Sequence, residues 1–314
     1  MPITIALDLG GTSIKLALVK EGGIIESSNI PVNDNTRLEP ILTTIEQSIS
    51  DLASKNGIAS SQFEGIGMAF PSIVDNKAGK ILSEYVKYAD VNDLSLQSWS
   101  KKLWGIPLLF ENDARAALVG EWQYGAGIGK TDLVQMTIGT GVGSAVLIDG
   151  KVLRGKHFLA GNLGGHVTVN YDGDECNCGN IGCLETVAST WALPTKVSSH
   201  QLFKESRLSN AEIIDFEVVF KLAAENDPLA TIIRDDCVNA WGFGAINLVH
   251  SFDPQAIIIG GGIMQSKLQI LPQIQKMVDK HTWLPPGTVE IIAAKNGNKA
   301  ALLGLDYLVK QNVN

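Results

Sequence analysis

Residues 3–19, ITIALDLGGTSIKLALV, and residues 134–148, VQMTIGTGVGSAVLI, follow one plan. In each, two β-rich runs flank a glycine tip, Gly10-Gly11-Thr12 in the first and Gly139-Thr140-Gly141 in the second. Gly22-Gly23 and Asp149-Gly150 supply the turns that follow. β-branched runs on both sides of a glycine turn predict a hairpin. Its recurrence about one domain further on predicts an internal repeat: two domains, each opening with a strand–glycine turn–strand unit. With 314 residues the chain can bury two such cores.

The rest of the chain alternates between the two periodicities. Leu38–Lys55 carries Ile41, Leu42, Ile45, Ile49 and Leu52 at helical spacing. FEGIGMAFPSIV reads as a buried strand ending in a turn at Pro71, and Ile106–Phe110 as another strand. Ala114–Tyr124, Leu184–Ala192, Val218–Ala224, a long Ala230–Val249 and a closing Lys299–Lys310 read as helices. Ala256–Ile259 is a buried strand opening onto Gly260-Gly261-Gly262. Residues 196–216 are polar and poorly patterned, which predicts a surface excursion. Alternating strands and helices predict an α/β fold.

Composition narrows the function. A net charge of −8 argues against nucleic acid or an anionic membrane as the main partner, while leaving room for a local phosphate site. No run reaches the 18 or so consecutive apolar residues of a membrane-spanning helix. The N-terminus has neither a basic stretch nor a small-residue cleavage site, so a cytoplasmic location is expected. In a reducing compartment, clustered thiols point to metal rather than to disulfides.

Three of the four cysteines fall within CNCGNIGCLE, residues 176–185. Cys176, Cys178 and Cys183, with His166 upstream, make a Cys₃His set, which suits a closed structural zinc site. A disulfide and free buried thiols are the alternatives, and Cys237 reads as core. The glycine tips can let backbone N–H groups approach a phosphate. At the first tip the Thr12 hydroxyl and Lys15 ammonium are close in sequence, and Asp8 is a carboxylate inside an apolar strand. Such a group needs a partner or a water-held Mg²⁺, unless the segment is an ordinary hairpin with Asp as a turn former. Thr137–Gly143 and Gly260-Gly261-Gly262 offer two more glycine turns, the last with room for a base or ribose. Glu111-Asn112-Asp113 ends a strand and opens a helix. Asp113 there could accept a proton from a hydroxyl, or the trio could be helix caps.

Taken together, LDLGGTSIK, PSIVD, LLFENDARAALVGEWQYGAG, TIGTGVGSAVLIDGKVLRG, GHVTV, CNCGNIGCLE and FDPQAIIIGGGI resemble the ROK family of sugar kinases and repressors, over essentially the whole chain. The resemblance implies two actin-like, RNase H-like domains with a cleft between them, the hexokinase-type fold. It implies residues 1–112 plus 299–314 as a small domain and 113–298 as a large one carrying the zinc loop. The implied activity is transfer of the γ-phosphate of ATP to a hydroxyl of a hexose or hexose derivative, with Mg²⁺. Asp113 would be the general base, and Asn112, His166 and Glu185 would contact sugar hydroxyls. Asp8, Gly10, Gly11, Thr12, Lys15, Thr137, Gly139, Thr140 and Gly141 would face the ATP phosphates, and Gly261 and Gly262 the adenosine. A homodimer is the family's expected assembly.

Two departures bear on the sugar. The family shows Pro-Gly where this chain has Pro71-Ser72, which adds bulk and a hydroxyl at the sugar's edge. The family's Gly-Glu-x-Gly-His becomes Gly161-Asn162-Leu163-Gly164-Gly165-His166. Ungapped, Leu163 stands for the Glu; with one inserted glycine, Asn162 does. Either way an acceptor-only group is lost, and a sugar other than glucose is expected. Only seven residues precede Asp8, which leaves no room for the winged-helix segment of the family's repressors. A kinase is therefore the expectation; a regulatory or catalytically idle sugar-binding protein is the alternative.

Overall fold

The computed structural model describes residues 2–33, 36–83 and 87–313. The chain first lays down β1 (Ile3–Leu9), β2 (Ser13–Lys20), β3 (Gly23–Pro31), α1 (Leu42–Lys55) and β4 (Phe63–Phe70). The short hairpin strands β5 (Val74–Asp75) and β6 (Lys80–Ile81), then α2 (Leu96–Trp104), β7 (Leu108–Asn112) and α3 (Asp113–Tyr124) follow. Next come β8 (Leu133–Ile138), β9 (Val142–Ile148), β10 (Lys151–Val152), α4 (Leu184–Ala188), α5 (Leu193–Ser198), α6 (Phe216–Ala224) and α7 (Pro228–Phe252). The chain closes with β11 (Ala256–Gly260), α8 (Lys267–His281), β12 (Glu290–Ala293) and α9 (Ala300–Val313).

Two compact units result: residues 1–128, 154–159 and 295–314, and residues 129–153 and 160–294. Each holds a five-stranded sheet of the same order, β3-β2-β1-β4-β7 in the first and β10-β9-β8-β11-β12 in the second. In both, a central strand pairs antiparallel with the strand after its glycine tip and parallel with the strand on its other side. The predicted α/β repeat is thus present as matching topology. The unit division falls at residue 128 rather than 112, because α3 packs along α9 inside the first unit.

Alternation along β1 sorts the first unit into layers. Ile3, Ile5, Leu7 and Leu9 join the core that includes Ile45 and Ile49 of α1. Ala6, with Ala17 and Ala69, packs against Leu302 and Leu305 of α9. Small residues on that face let the helix pair lie close. A Cβ on Gly120 would stand 1.9 Å from the Ala300 carbonyl oxygen, and one on Gly304 would stand 1.8 Å from that of Ala116. The second unit builds one core around α7, where Trp241 is fully buried beneath Phe216 and Phe220. Asp227 caps α7 by accepting the Ala230 N–H, and Pro228 sits where its missing donor costs nothing. Cys237 is buried there, and burial pushes its thiol up to about 11, consistent with a core role.

Four features differ from the sequence reading. β3, α2, α8 and β12 stand where the sequence reading places no element. The strand expected at Ile106–Phe110 runs from Leu108 to Asn112. The helix expected over Leu184–Ala192 stops at Ala188, because the N–H groups of Thr190 and Trp191 are used elsewhere. Residues 196–216 are no pure excursion: Val197, Leu208 and Phe216 enter the core.

Candidate functional site

The sequence-predicted residues fall into two groups, one on each unit. On the first unit, β7 delivers Glu111 and Asn112 at its C-terminal end, and Asp113 opens α3. Asn112 is the N-cap: its side-chain oxygen accepts the Arg115 N–H at 3.0 Å. Its Nδ2 donates to the Ser72 carbonyl at 3.1 Å and to Asp113 Oδ1 at 3.0 Å. These bonds hold the Asn112 amide beside Asp113. Asp113 Oδ1 also accepts the Ala114 N–H at 2.8 Å. Burial, followed by the nearby Asp8 carboxylate, raises the Asp113 carboxyl from 3.8 to about 7 against those two hydrogen bonds. A carboxylate tuned near neutrality at a strand end is suited to take a proton from a hydroxyl.

Asp8 is buried, and its partner is Lys15, its register neighbour across β1 and β2, at 2.9 Å. This pairing offsets the desolvation of the carboxylate. Gly10 spends its own N–H on the Ser13 carbonyl at 3.0 Å, so Gly11 and Thr12 carry the tip's remaining donors. The Tyr88 hydroxyl donates to the Gly10 carbonyl at 2.9 Å, and the Lys87 ammonium donates to that of Gly11. Those two side chains are missing from the sequence reading, which had no signal for a bond spanning more than seventy positions. They also line a cavity of about 630 Å³ together with Phe70, Ser72, Ser83 and Asn92. The buried Glu111 is held by an ion pair with Arg154, and the Phe158 carbonyl accepts from Arg115 Nη2 at 2.9 Å. Residues 154–159 are thereby clasped to the first unit.

On the second unit the Cys₃His set converges. The four ligand atoms of His166, Cys176, Cys178 and Cys183 lie within 4.8 Å of one another. Cys176 Sγ is 3.6 Å from His166 Nδ1, and Cys178 Sγ is 3.7 Å from Cys183 Sγ. A tetrahedral zinc with ordinary bond lengths spaces sulfur from nitrogen by about 3.6 Å and sulfur from sulfur by about 3.8 Å. The residues fit the ion, and the sulfur pair is far too wide for a disulfide. With Nδ1 facing the thiols, Nε2 of His166 is left for a second partner. The loop closes because Gly182 takes φ +62° and brings its Cα against the Asn170 carbonyl, where a Cβ would lie 1.5 Å from the oxygen.

The loop before His166 lies along β9. Ser144 Oγ accepts the Gly164 N–H at 2.7 Å and donates to the Gly161 carbonyl at 2.8 Å. A Cβ on Gly165 would stand 1.9 Å from the Val142 carbonyl oxygen, so the second glycine of this chain's Gly164-Gly165 pair is a packing requirement. Leu163 is 38 % exposed, whereas Asn162 Oδ1 is buried with no protein donor among the described residues. Glu185, in the first turn of α4, accepts the Val142 N–H at 2.8 Å and the Trp191 indole N–H at 3.3 Å. At the tip, Gly139 donates to the Gly141 carbonyl at 2.9 Å, leaving Thr140 and Gly141 as donors. Thr137 Oγ1 accepts from Gln135 at 3.2 Å. Gly261, at φ +94°, lies against the Ile138 carbonyl beside this tip, and Gly262 faces open space.

The ROK family model matches residues 4–312. The chain belongs to the ROK family. Among its relatives, a glucokinase of Halalkalibacterium halodurans is 32% identical, over 99% of this chain and 96% of that protein. A ROK family glucokinase from Streptomyces griseus, solved in complex with glucose and AMPPNP, superposes with a TM-score of 0.79 at 29% identity, over 98% of this chain and 99% of that one. A ROK family transcriptional regulator, a homolog of the E. coli MLC protein, superposes with a TM-score of 0.86 at 28% identity, over 99% of this chain and 78% of the regulator. ROK hexokinase structures share the fold, as with that from Thermus thermophilus at a TM-score of 0.80. Among the described residues, no helix is long and apolar enough to cross a membrane.

Proposed function

We propose that the chain is an ATP-dependent carbohydrate kinase that phosphorylates a hydroxyl of a hexose or hexose derivative. The observation that carries this reading is Asp113: a carboxylate at a strand end, aimed by Asn112 and raised to about 7. The similarity to glucokinases supports the reaction class. In this reading Asp113 takes the proton from the acceptor hydroxyl as that oxygen bonds to the γ-phosphorus and the bond from the γ-phosphorus to the bridging oxygen breaks, releasing ADP. The free N–H groups of the two glycine tips would hold phosphate oxygens, and Mg²⁺ carried with ATP would supply positive charge against them. Positioning and charge stabilisation suffice, since phosphoryl transfer asks for little covalent help. His166 through Nε2, Glu185 and Asn162 through its unpartnered Oδ1 would receive sugar hydroxyls. Zinc on His166, Cys176, Cys178 and Cys183 would supply rigidity, having no open position for substrate. A cytoplasmic homodimer is the expected setting.

The acceptor differs from glucose in this reading. Asn162 or Leu163 replaces a carboxylate, and the cavity beside Ser72 offers room for a substituent. An ADP-release assay across hexoses, N-acetylhexosamines and β-glucosides tests both points. One of these sugars is expected to drive turnover, and Asp113→Asn to lower kcat by a factor of about 10²–10⁴ with the fold intact. Undiminished turnover in that variant removes Asp113 as base. Sugar binding by titration calorimetry without any ADP release would favour the second reading, a sugar-sensing regulator. The similarity to the ROK transcriptional regulator supports that alternative.

A further inference from the structure

The family resemblance implies one role for Glu185, a contact to sugar. Its observed hydrogen bonds point to another. Glu185 follows Cys183 by two residues, and Leu184 between them is buried, with its N–H donated to the Val167 carbonyl at 2.9 Å. From this held base the Glu185 carboxylate reaches the end of the glycine tip and accepts the Val142 N–H at 2.8 Å. The chain then leaves helical geometry at Ser189 (φ −122°, ψ 164°). Thr190 donates its N–H to the Gly139 carbonyl at 3.0 Å, and Trp191 donates to that of Thr140 at 3.2 Å. The Trp191 indole closes the ring by donating to the other oxygen of Glu185 at 3.3 Å. Within the tip a single backbone bond, from Gly139 to Gly141, shapes residues 139–141. The segment 185–191 supplies the rest. Gly141 also sits where a Cβ would lie 2.4 Å from Glu185 Oε2, so the carboxylate and the tip are in van der Waals contact.

We propose that Glu185 is a positioning residue of the nucleotide site, fastening the 139–141 tip so that its free N–H groups are pre-aimed at phosphate, and that the zinc loop acts on nucleotide affinity through it. The proposal rests on the kinase reading above, in which this tip holds nucleotide phosphates. Charge and geometry make opposite demands at this residue. A carboxylate beside a phosphate repels it, so if charge were its only effect, removing Glu185 would tighten nucleotide binding. If Glu185 fastens the tip, removing it strands the buried Val142 N–H, loosens the donors and weakens binding.

The test is calorimetric titration of AMPPNP and ADP into wild type, Glu185→Ala and Glu185→Gln, without sugar, with zinc content and melting temperature recorded for each. Glu185→Ala is expected to weaken nucleotide Kd roughly tenfold. Glu185→Gln keeps an acceptor for Val142 and is expected to stay within about threefold of wild type. Trp191→Phe, at a half-exposed position that spares the fold, is expected to weaken Kd by about threefold and covers the case of an unfolded alanine variant. Stripping zinc from wild type is expected to weaken AMPPNP binding, and to weaken it less in Glu185→Ala, because both perturbations release the same tip. Unchanged or tighter nucleotide binding in Glu185→Ala, with zinc retained, overturns the proposal. A wild-type protein that binds no nucleotide at all overturns the kinase reading and this inference with it.

Discussion

Replacing Asp113 by Asn changes charge and little else, which makes it a direct probe of the tuned carboxylate. The amide oxygen can still accept the Ala114 N–H and the Asn112 Nδ2–H that Asp113 Oδ1 accepts now. The variant therefore keeps the helix start and removes only the ionisation. A carboxyl raised from 3.8 to about 7 by burial, and then by Asp8, favours its protonated form in the fold. Its contribution to stability is complete below the unfolded value near pH 4 and is lost as pH rises through the folded value near pH 7. At about 1.36 kcal/mol per pH unit, the rise from 3.8 to about 7 sets an upper bound of about 4 kcal/mol, which solvent screening of the half-buried group lowers to roughly 2 kcal/mol. Asp113→Asn should thus be more stable than wild type by roughly 2 kcal/mol at pH 8 and by less than half of that at pH 5. Urea denaturation at the two pH values measures it, read from midpoints at constant slope. Equal stability differences at pH 5 and pH 8, or a less stable variant at pH 8, would refute the reasoning. The same ionisation predicts that kcat/KM of the wild-type kinase falls tenfold per pH unit below about 7.

Arg154→Ala strands the buried Glu111 carboxylate and should cost roughly 3 kcal/mol, measured by urea denaturation; Arg154→Lys should recover part of it. Gly120→Ala and Gly304→Ala each push a methyl into a helix backbone less than 2 Å away, and each should destabilise by about 3 kcal/mol or prevent folding, seen as a melting point lowered by several degrees. Elemental analysis should find one zinc per chain, and Cys178→Ser should lose it together with cooperative unfolding of the second unit in a melting scan; full stability in a metal-free protein would exclude a structural zinc.

Several site features are legible in the sequence because their determinants are adjacent in the chain. The C-x-C-x4-C spacing confines three thiols to a short loop, and glycines permit its turn. Asp113 follows Asn112 at a strand-to-helix junction, where β7 and the cap of α3 place it. Asp8 needed a partner, and Lys15 is its register neighbour across a hairpin whose tip the sequence already marked. Other features had no local signature. Arg154 reaches Glu111 from 43 positions away, in a segment whose chain neighbours belong to the other unit. Tyr88 and Lys87 find the first tip from 78 and 76 positions away.

The helix expected through Ala192 shows where the boundary lies. Its apolar spacing continues, yet the chain turns extended after Ala188, because the Gly139 and Thr140 carbonyls offer Thr190 and Trp191 stronger use for their N–H groups than another helical turn. Periodicity and spacing, which depend on near neighbours, determined the repeat, the tips and the metal-ligand set. Tertiary structure alone decided how the second tip is fastened, because that depends on hydrogen bonds between residues some fifty positions apart, a separation at which sequence pattern carries no information about contact.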